Sequence, residues 1–273
     1  MTIRLHHLNC GSLCPACQRG INGNGGWVAA ALMPCHCLLI ETPEALVLVD
    51  TGFGTADVAQ ANQRLGRAFT LLGQPKCDPA ETALAQVQAL GFDPRDVKHL
   101  VTTHLDLDHT GGLPDFPQAQ VHVWERELQM AQHGGFMDRI RLCKHHIAHG
   151  PQWVRHRAEG DEWFGFEAVR IIPGLSAEIA LIPLHGHTLG HCGVAVKVDG
   201  RWTLHAGDAY FNRATLDGSA MPPLIGLFEK LVQRDALLRL HNQARLRSLI
   251  EDHGDEVDVF CAHDLSEFQA RAA

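Results

Sequence analysis

His104-Leu105-Asp106-Leu107-Asp108-His109 places four potential metal ligands within six residues, and Thr110-Gly111-Gly112 follows at once. Two leucines separate the ligands, so the segment has an apolar side and a coordinating side. Upstream, Val97–Thr103 reads as a buried strand. A strand that ends in such a cluster, with glycines behind it, sets the ligands on a tight loop at the end of a sheet. Imidazole and carboxylate together suit zinc, iron or manganese. A charged surface turn would not need two histidines and two aspartates interleaved with leucine.

Three further segments place ligands where buried strands run out. Leu184-His185-Gly186-His187-Thr188-Leu189-Gly190-His191 follows Ile179–Pro183, His205-Ala206-Gly207-Asp208 follows Trp202–Leu204, and Cys261-Ala262-His263-Asp264 follows Val257–Phe260. One such case would be weak; four in one chain point to one shared site.

The ordered set Asp50-Thr51-Gly52, HxDxDH, Gly-His-Thr-x-Gly-His, Gly-Asp and Ala-His-Asp resembles the metallo-β-lactamase fold superfamily, from Cys37 to His263. The resemblance implies an α/β protein, a four-layer αββα sandwich of two facing mixed sheets with helices outside, and a metal site at one end. It implies two divalent metal ions, zinc first. His104, Asp106 and His187 would hold one ion, Asp108, His109 and His263 the other, and Asp208 would bridge them. Asp50 matches an aspartate that steadies the ligand loop by hydrogen bonding. His185 and His191 are then hydrogen-bonded neighbours rather than ligands. Hydrolases of the superfamily usually carry histidine where this chain has Asp106. A carboxylate is the harder and more negative ligand, so iron or manganese stays open.

The implied chemistry is hydrolysis by a hydroxide held between two metal ions, opening a lactone or a related carboxylic ester. Asp108 and Asp208 are the candidate catalytic carboxylates, Asp208 also as the carrier of a proton to the leaving group. Tyr210 stands two residues after Asp208. N-acyl homoserine lactonases are similar in carrying a tyrosine near this point, at a spacing of three, so Tyr210 is either an oxyanion donor or a packed aromatic. No Gly-x-Ser-x-Gly elbow is present. A glyoxalase-II-like thioesterase, a phosphodiesterase and a mononuclear iron sulfur dioxygenase are the alternatives on this fold.

Composition narrows the field. The 273 residues are expected to form a single domain, 1–273. A net charge of −8 without a long acidic or basic run disfavours nucleic acid, so a small-molecule substrate is expected. No window has the apolar length to cross a bilayer and the first residues lack a signal-peptide core, which leads to the expectation of a cytoplasmic protein, with a homodimer as one oligomeric option. Cys14, Cys17, Cys35 and Cys37 have spacing for a structural zinc site, but Cys35 and Cys37 alternate with His36 on a strand and read better as packed thiols.

The nineteen histidines are in excess over any ligand set. His145, His146, His149 and His156 lie among Arg139, Arg141, Lys144, Arg155 and Arg157, a stretch that could meet an anionic substrate but reads more readily as a solvated helix face. Helical patterns are expected at about 57–72, 79–90 and 227–253, with 222–226 a loop. The stretch 133–162 is expected to be irregular and partly helical. Asn22–Trp27 could line the mouth of the site, and Met221–Phe228 could wall an acyl pocket or pack a helix.

Overall fold

The computed structural model describes residues 3–272 apart from 136, 137, 139, 140, 159, 160 and 173. Two six-stranded sheets each run in chain order. The first comprises β1 (Arg4–Leu13), β2 (Met33–Glu41), β3 (Leu46–Val49), β4 (Val97–Val101), β5 (Gln120–Trp124) and β6 (Gln152–His156). Its first three strands are antiparallel and the last four parallel. The second comprises β7 (Asp161–Trp163), β8 (Phe166–Ile171), β9 (Glu178–Pro183), β10 (Cys192–Val198), β11 (Arg201–His205) and β12 (Val257–Phe260). It is an antiparallel meander with β12 added parallel to β11.

Side-chain alternation turns these sheets into layers. Leu38, Ile40, Val47 and Val49 meet Ile179, Leu181, Val194 and Val196 in the cluster between the sheets. The opposite parity of β2 and β3, Leu39, Leu46 and Leu48, packs with Ala83 and Val87 of the helix Ala83–Ala89. Ala180 and Ile182 pack outward with Leu246 and Leu249 of the helix Ala236–His253. Apolar side chains thus leave both faces of both sheets, which is the four-layer αββα order expected. Strands buried on both faces read as continuous hydrophobic runs, as Leu46–Val49 does.

Several local expectations change. The pattern at 57–72 breaks into Thr55–Ala59, Ala61–Arg64 and Arg67–Gly73, with Gly66 at φ 86° before the last piece. The loop expected at 222–226 is mostly helix, because Pro223 occupies the first turn of Pro223–Val232, where a missing N–H costs nothing. A separate helix then starts at Ala236, capped by the Asp235 side chain on the Leu238 N–H. The stretch 133–162 contains the unforeseen strand β6, which pairs parallel to β5 at the sheet edge and shows no apolar alternation. No helix among the described residues is long and apolar enough to cross a membrane.

A buried ion pair joins two of the connecting segments. Asp57 Oδ2 lies 2.9 Å from His146 Nε2, Asp57 Oδ1 accepts from Arg64 Nε at 2.7 Å, and the Gly54 N–H donates to Oδ2. Burial opposes both charges, but their contact wins. It raises the His146 pKa above 6.5 and lowers that of Asp57 below 3.8. The His146 contribution is therefore complete below pH 6.5 and fades as pH rises through its raised value, while the Asp57 contribution is complete above 3.8 and fades on acidification. Replacing Asp57 with asparagine is expected to cost about 3 kcal/mol, because it strands a buried partner, and to lower the Tm by roughly 6–12 °C. Thermal unfolding across pH checks this: the gap from the parent should narrow as pH climbs past the His146 value.

Candidate metal centre

The ligand-bearing loops all leave the same end of the sandwich. The 104–109 segment follows β4, 184–191 follows β9, 205–208 ends β11 and 261–264 follows β12. Two groups of three buried side chains result, His104 with His187 and Asp208, and His109 with Asp208 and His263. Asp208 belongs to both through different atoms. Its Oδ2 is 3.8 Å from His104 Nε2 and 3.5 Å from His187 Nε2, while its Oδ1 is 3.4 Å from His109 Nε2 and 3.3 Å from His263 Nε2. Asp108 lies 3.6 Å from His263 Nε2 and 4.0 Å from His109 Nε2.

The outer nitrogens explain why the inner ones point inward. His104 Nδ1 meets Thr103 Oγ1 at 3.0 Å, His109 Nδ1 meets Asp50 Oδ2 at 2.9 Å, and His263 Nδ1 meets the Pro34 carbonyl at 2.8 Å. With each Nδ1–H donated outward, the Nε2 lone pairs face the cluster, the arrangement that ligating histidines adopt. Nε2 of His104 and His109 and Oδ1 of Asp208 are buried and have no hydrogen-bond partner among the described residues. Three stranded acceptors would be costly unless a cation satisfies them.

Electrostatics agree. Burial alone would lower the pKa of His109, yet Asp208, Asp50 and Asp108 push it well above its ordinary value. Asp208 is buried as well, but His263 and His109 hold its carboxyl well below the usual range. The cluster attracts positive charge, and its donor set of imidazole and carboxylate fits divalent zinc, iron or manganese.

Supporting contacts hold the loops. Asp50, at φ 55°, accepts the Thr103 N–H on Oδ1 and the Thr103 hydroxyl on Oδ2, both at 2.8 Å. His191 donates from Nδ1 to the Leu184 carbonyl and accepts the Asp208 N–H on Nε2, each at 2.9 Å, so it is a neighbour and not a member of the groups. His185 likewise bonds a backbone carbonyl, that of His191. Glu127 was not singled out from the sequence. Its buried carboxylate accepts from Leu105 N, Thr188 Oγ1 and Gly190 N, and so ties the two histidine loops together. Gly190 permits that approach, since a Cβ there would lie 2.2 Å from the Glu127 nitrogen.

Two expectations need correction. Tyr210 is buried in the outer core, and its hydroxyl is 3.0 Å from both oxygens of Glu267, to which it donates. The phenol is already engaged away from the cluster, so the oxyanion role does not fit. The basic stretch is not simply a solvated face either. Arg139 lies outside the described residues, but Arg141 reaches into the site. Its Nε donates to Asp106 Oδ1 at 2.8 Å, its Nη2 pairs with Asp106 Oδ2, and Nη2 also lies 2.6 Å from His187 Nε2. Asp106 Oδ2 remains 3.1 Å from His187 Nε2 and 3.4 Å from His104 Nε2. Burial and the guanidinium lower His187 to about 4. A lone arginine amid surface-type charges carries no sequence signal of this placement.

The four cysteines considered for structural zinc do not gather: among the described residues none of the candidate metal groups contains more than one of them. All nine cysteines are free thiols.

The model of the Metallo-beta-lactamase superfamily matches residues 30–247, and the chain belongs to that superfamily. It is a hydrolytic enzyme of this family, whose relatives are metallo-hydrolases and lactonases. A "Probable metallo-hydrolase" of Mycobacterium tuberculosis is 39% identical over 269 residues, 98% of this chain and 82% of that protein. The N-acyl homoserine lactonase AttM of Azorhizobium caulinodans is 28% identical over 264 residues, 93% of this chain and 91% of its own. Among solved structures, an N-acyl homoserine lactone hydrolase with N-hexanoyl-L-homoserine bound at its catalytic metal centre superposes with a TM-score of 0.72 at 22% identity, covering 99% of this chain and 97% of its own, a likeness of fold.

Arg141 places a fixed positive charge beside the cluster and competes with a cation for Asp106. Arg141→Ala is therefore expected to retain zinc about tenfold more tightly, read by competition with a chromophoric chelator. Weaker retention would show that the arginine supports the loop instead.

Proposed function

We propose that the cluster is a two-metal hydrolytic centre that opens a lactone or cleaves a related carboxylic ester bearing an apolar acyl arm. The observation that carries this reading is the convergence of unpartnered buried acceptors on His104, His109 and Asp208. His104, His187 and Asp106 would hold one ion, Asp108, His109 and His263 the other, and Asp208 would serve both, one oxygen to each side. Asp106 would do so while paired with Arg141. Together the pair carries no net charge, like the neutral histidine usual at that position. When bound, two divalent ions polarise a carbonyl and lower the pKa of water toward neutrality. Asp208, or a water held on it, would carry the proton to the leaving oxygen. Asp50 and Glu127 keep the loops in register while this happens.

The apolar arm is supported by the surface beside the centre. Leu224, Leu227, Phe228 and Leu231 on the helix Pro223–Val232 are exposed, at the i, i+3, i+4, i+7 spacing of one face. Phe211 links that face to the cluster: its ring lies 5.2 Å from Phe228, 5.6 Å from His187, and stacks on His263 at 5.4 Å. A small cavity of about 70 Å³ at this point is lined by Asn22, Asn24, Met33, Phe211, Ile225 and His263. Residues of the 22–27 loop and of the 221–228 segment line it together, which supports an acyl-accepting mouth here. The relatives named as lactonases act on acylated substrates, which accords with such a surface.

A hydrolysis panel of acylated lactones, aryl esters, thioesters and bis-aryl phosphates tests the reading. Turnover of lactone or carboxylic ester, abolished in Asp208→Ala, is expected; turnover of the phosphate diester alone would overturn it. Serine at both Leu227 and Leu231 is expected to raise KM about tenfold for long-chain substrates, the worth of roughly 1.5 kcal/mol of lost burial. The kcat, and the KM of short-chain substrates, should stay as they are.

A further inference from the structure

Cys35 stands at the second half of the centre. Its thiol, Asp108 and His263 offer ligand atoms all within 4.8 Å of one another. The side chain is buried, and its position is set by the backbone on both sides. The Pro34 carbonyl accepts His263 Nδ1–H at 2.8 Å, and the His36 N–H donates to the Ala262 carbonyl at 3.0 Å. The Cys35 N–H is held by Asn9 Oδ1 at 3.1 Å. The start of β2 is thus stitched to the turn that carries His263, and the residue between the two stitches directs its sulfur at the ligands. Other buried thiols are engaged differently: Cys143 Sγ donates to the Arg64 carbonyl and Cys192 Sγ to the Thr103 carbonyl. A second, independent feature lies on the same side. His109 Nε2 and Asp208 Oδ1, which complete that half of the cluster with His263, are buried without hydrogen-bond partners.

We propose that Cys35 is a ligand of the second metal position, adding a thiolate to Asp108, His109, His263 and Asp208. This deepens the two-metal reading and rests on it. Binding releases the thiol proton to solvent as the sulfur–metal bond forms, with no change of oxidation state. The two halves of the centre then differ in kind. At the first, Arg141 cancels the added carboxylate of Asp106. At the second, a soft and negatively charged sulfur joins the set, which favours zinc or cobalt over manganese there. Metal identity would be decided by Cys35 on one side and by the Asp106–Arg141 pair on the other.

Cobalt(II) substitution separates the two layers of the argument. The full chain, freed of metal with a chelator and reloaded with cobalt, is expected to show visible ligand-field bands from the nitrogen and oxygen ligands, and a near-ultraviolet sulfur-to-cobalt charge-transfer band. Cys35→Ser should lose the charge-transfer band and keep the ligand-field bands, while Cys37→Ser, two residues along the same strand, keeps both. Ligand-field bands without charge transfer in the parent, or a charge-transfer band that survives in Cys35→Ser, would overturn the thiolate assignment while leaving the metal centre in place. Absence of any cobalt band in the parent would overturn both. If Cys35→Ser does not fold, Cys35→Ala and Cys35→Val carry the same reading, because neither places an oxygen or sulfur at the site.

Discussion

The buried carboxylate of Asp50 holds the HLDLDH segment of the candidate centre in place. It sits where β3 ends, in a left-handed backbone conformation that a non-glycine residue rarely adopts. From there it takes three hydrogen bonds, from the Thr103 amide, the Thr103 hydroxyl and His109 Nδ1. Thr103 Oγ1 in turn meets His104 Nδ1. One side chain therefore sets the orientation of both histidines that open and close the HLDLDH segment. Local strain of this kind persists only where the surroundings over-determine it, and it is commonly found at sites of function. The loop after β9 is held by a second carboxylate, Glu127, which belongs to no candidate metal group among the described residues and spans from Leu105 to Gly190.

Charge is distributed over the site with the same economy. Four carboxylates, Asp50, Asp106, Asp108 and Asp208, lie among imidazoles, and Arg141 neutralises one of them. The substitution of aspartate for the usual histidine at 106 is accompanied by an arginine from a distant part of the chain. The pair stands where hydrolases of the superfamily usually carry one neutral histidine. Nearby, His191 is fixed as a neutral ring by burial and by two backbone partners, so it orients Asp208 without adding charge.

Much of this was legible from residue order. The candidate ligand residues fall immediately after apolar runs, and an apolar run of four to six residues closed by glycine announces a buried strand and its end. The hairpin at Asp199-Gly200 is of the same sort: both residues take positive φ, as that dipeptide favours. Elements whose stability comes from neighbours were not legible. The strand β6 has no periodic pattern because it is an edge strand completed by β5. The helix Pro223–Val232 was obscured by prolines whose first-turn role depends on where the helix begins. Tyr210 was ambiguous because a tyrosine near an active-site aspartate has the same letter whether its hydroxyl faces substrate or, as here, Glu267.

By itself the sequence determined the superfamily, the sandwich of sheets and the candidate ligands, because each is a local pattern: a strand, a turn and a coordinating side chain within a few residues. Only the tertiary structure decided that Arg141 meets Asp106, that Glu127 bridges two loops and that Cys35 lies beside Asp108 and His263. These residues are separated by 35, up to 63, and 73 to 228 positions respectively. Hydrogen bonds and ion pairs at such separations depend on how strands are ordered in the sheets and on which way each side chain leaves its strand, and no window of the chain contains that information.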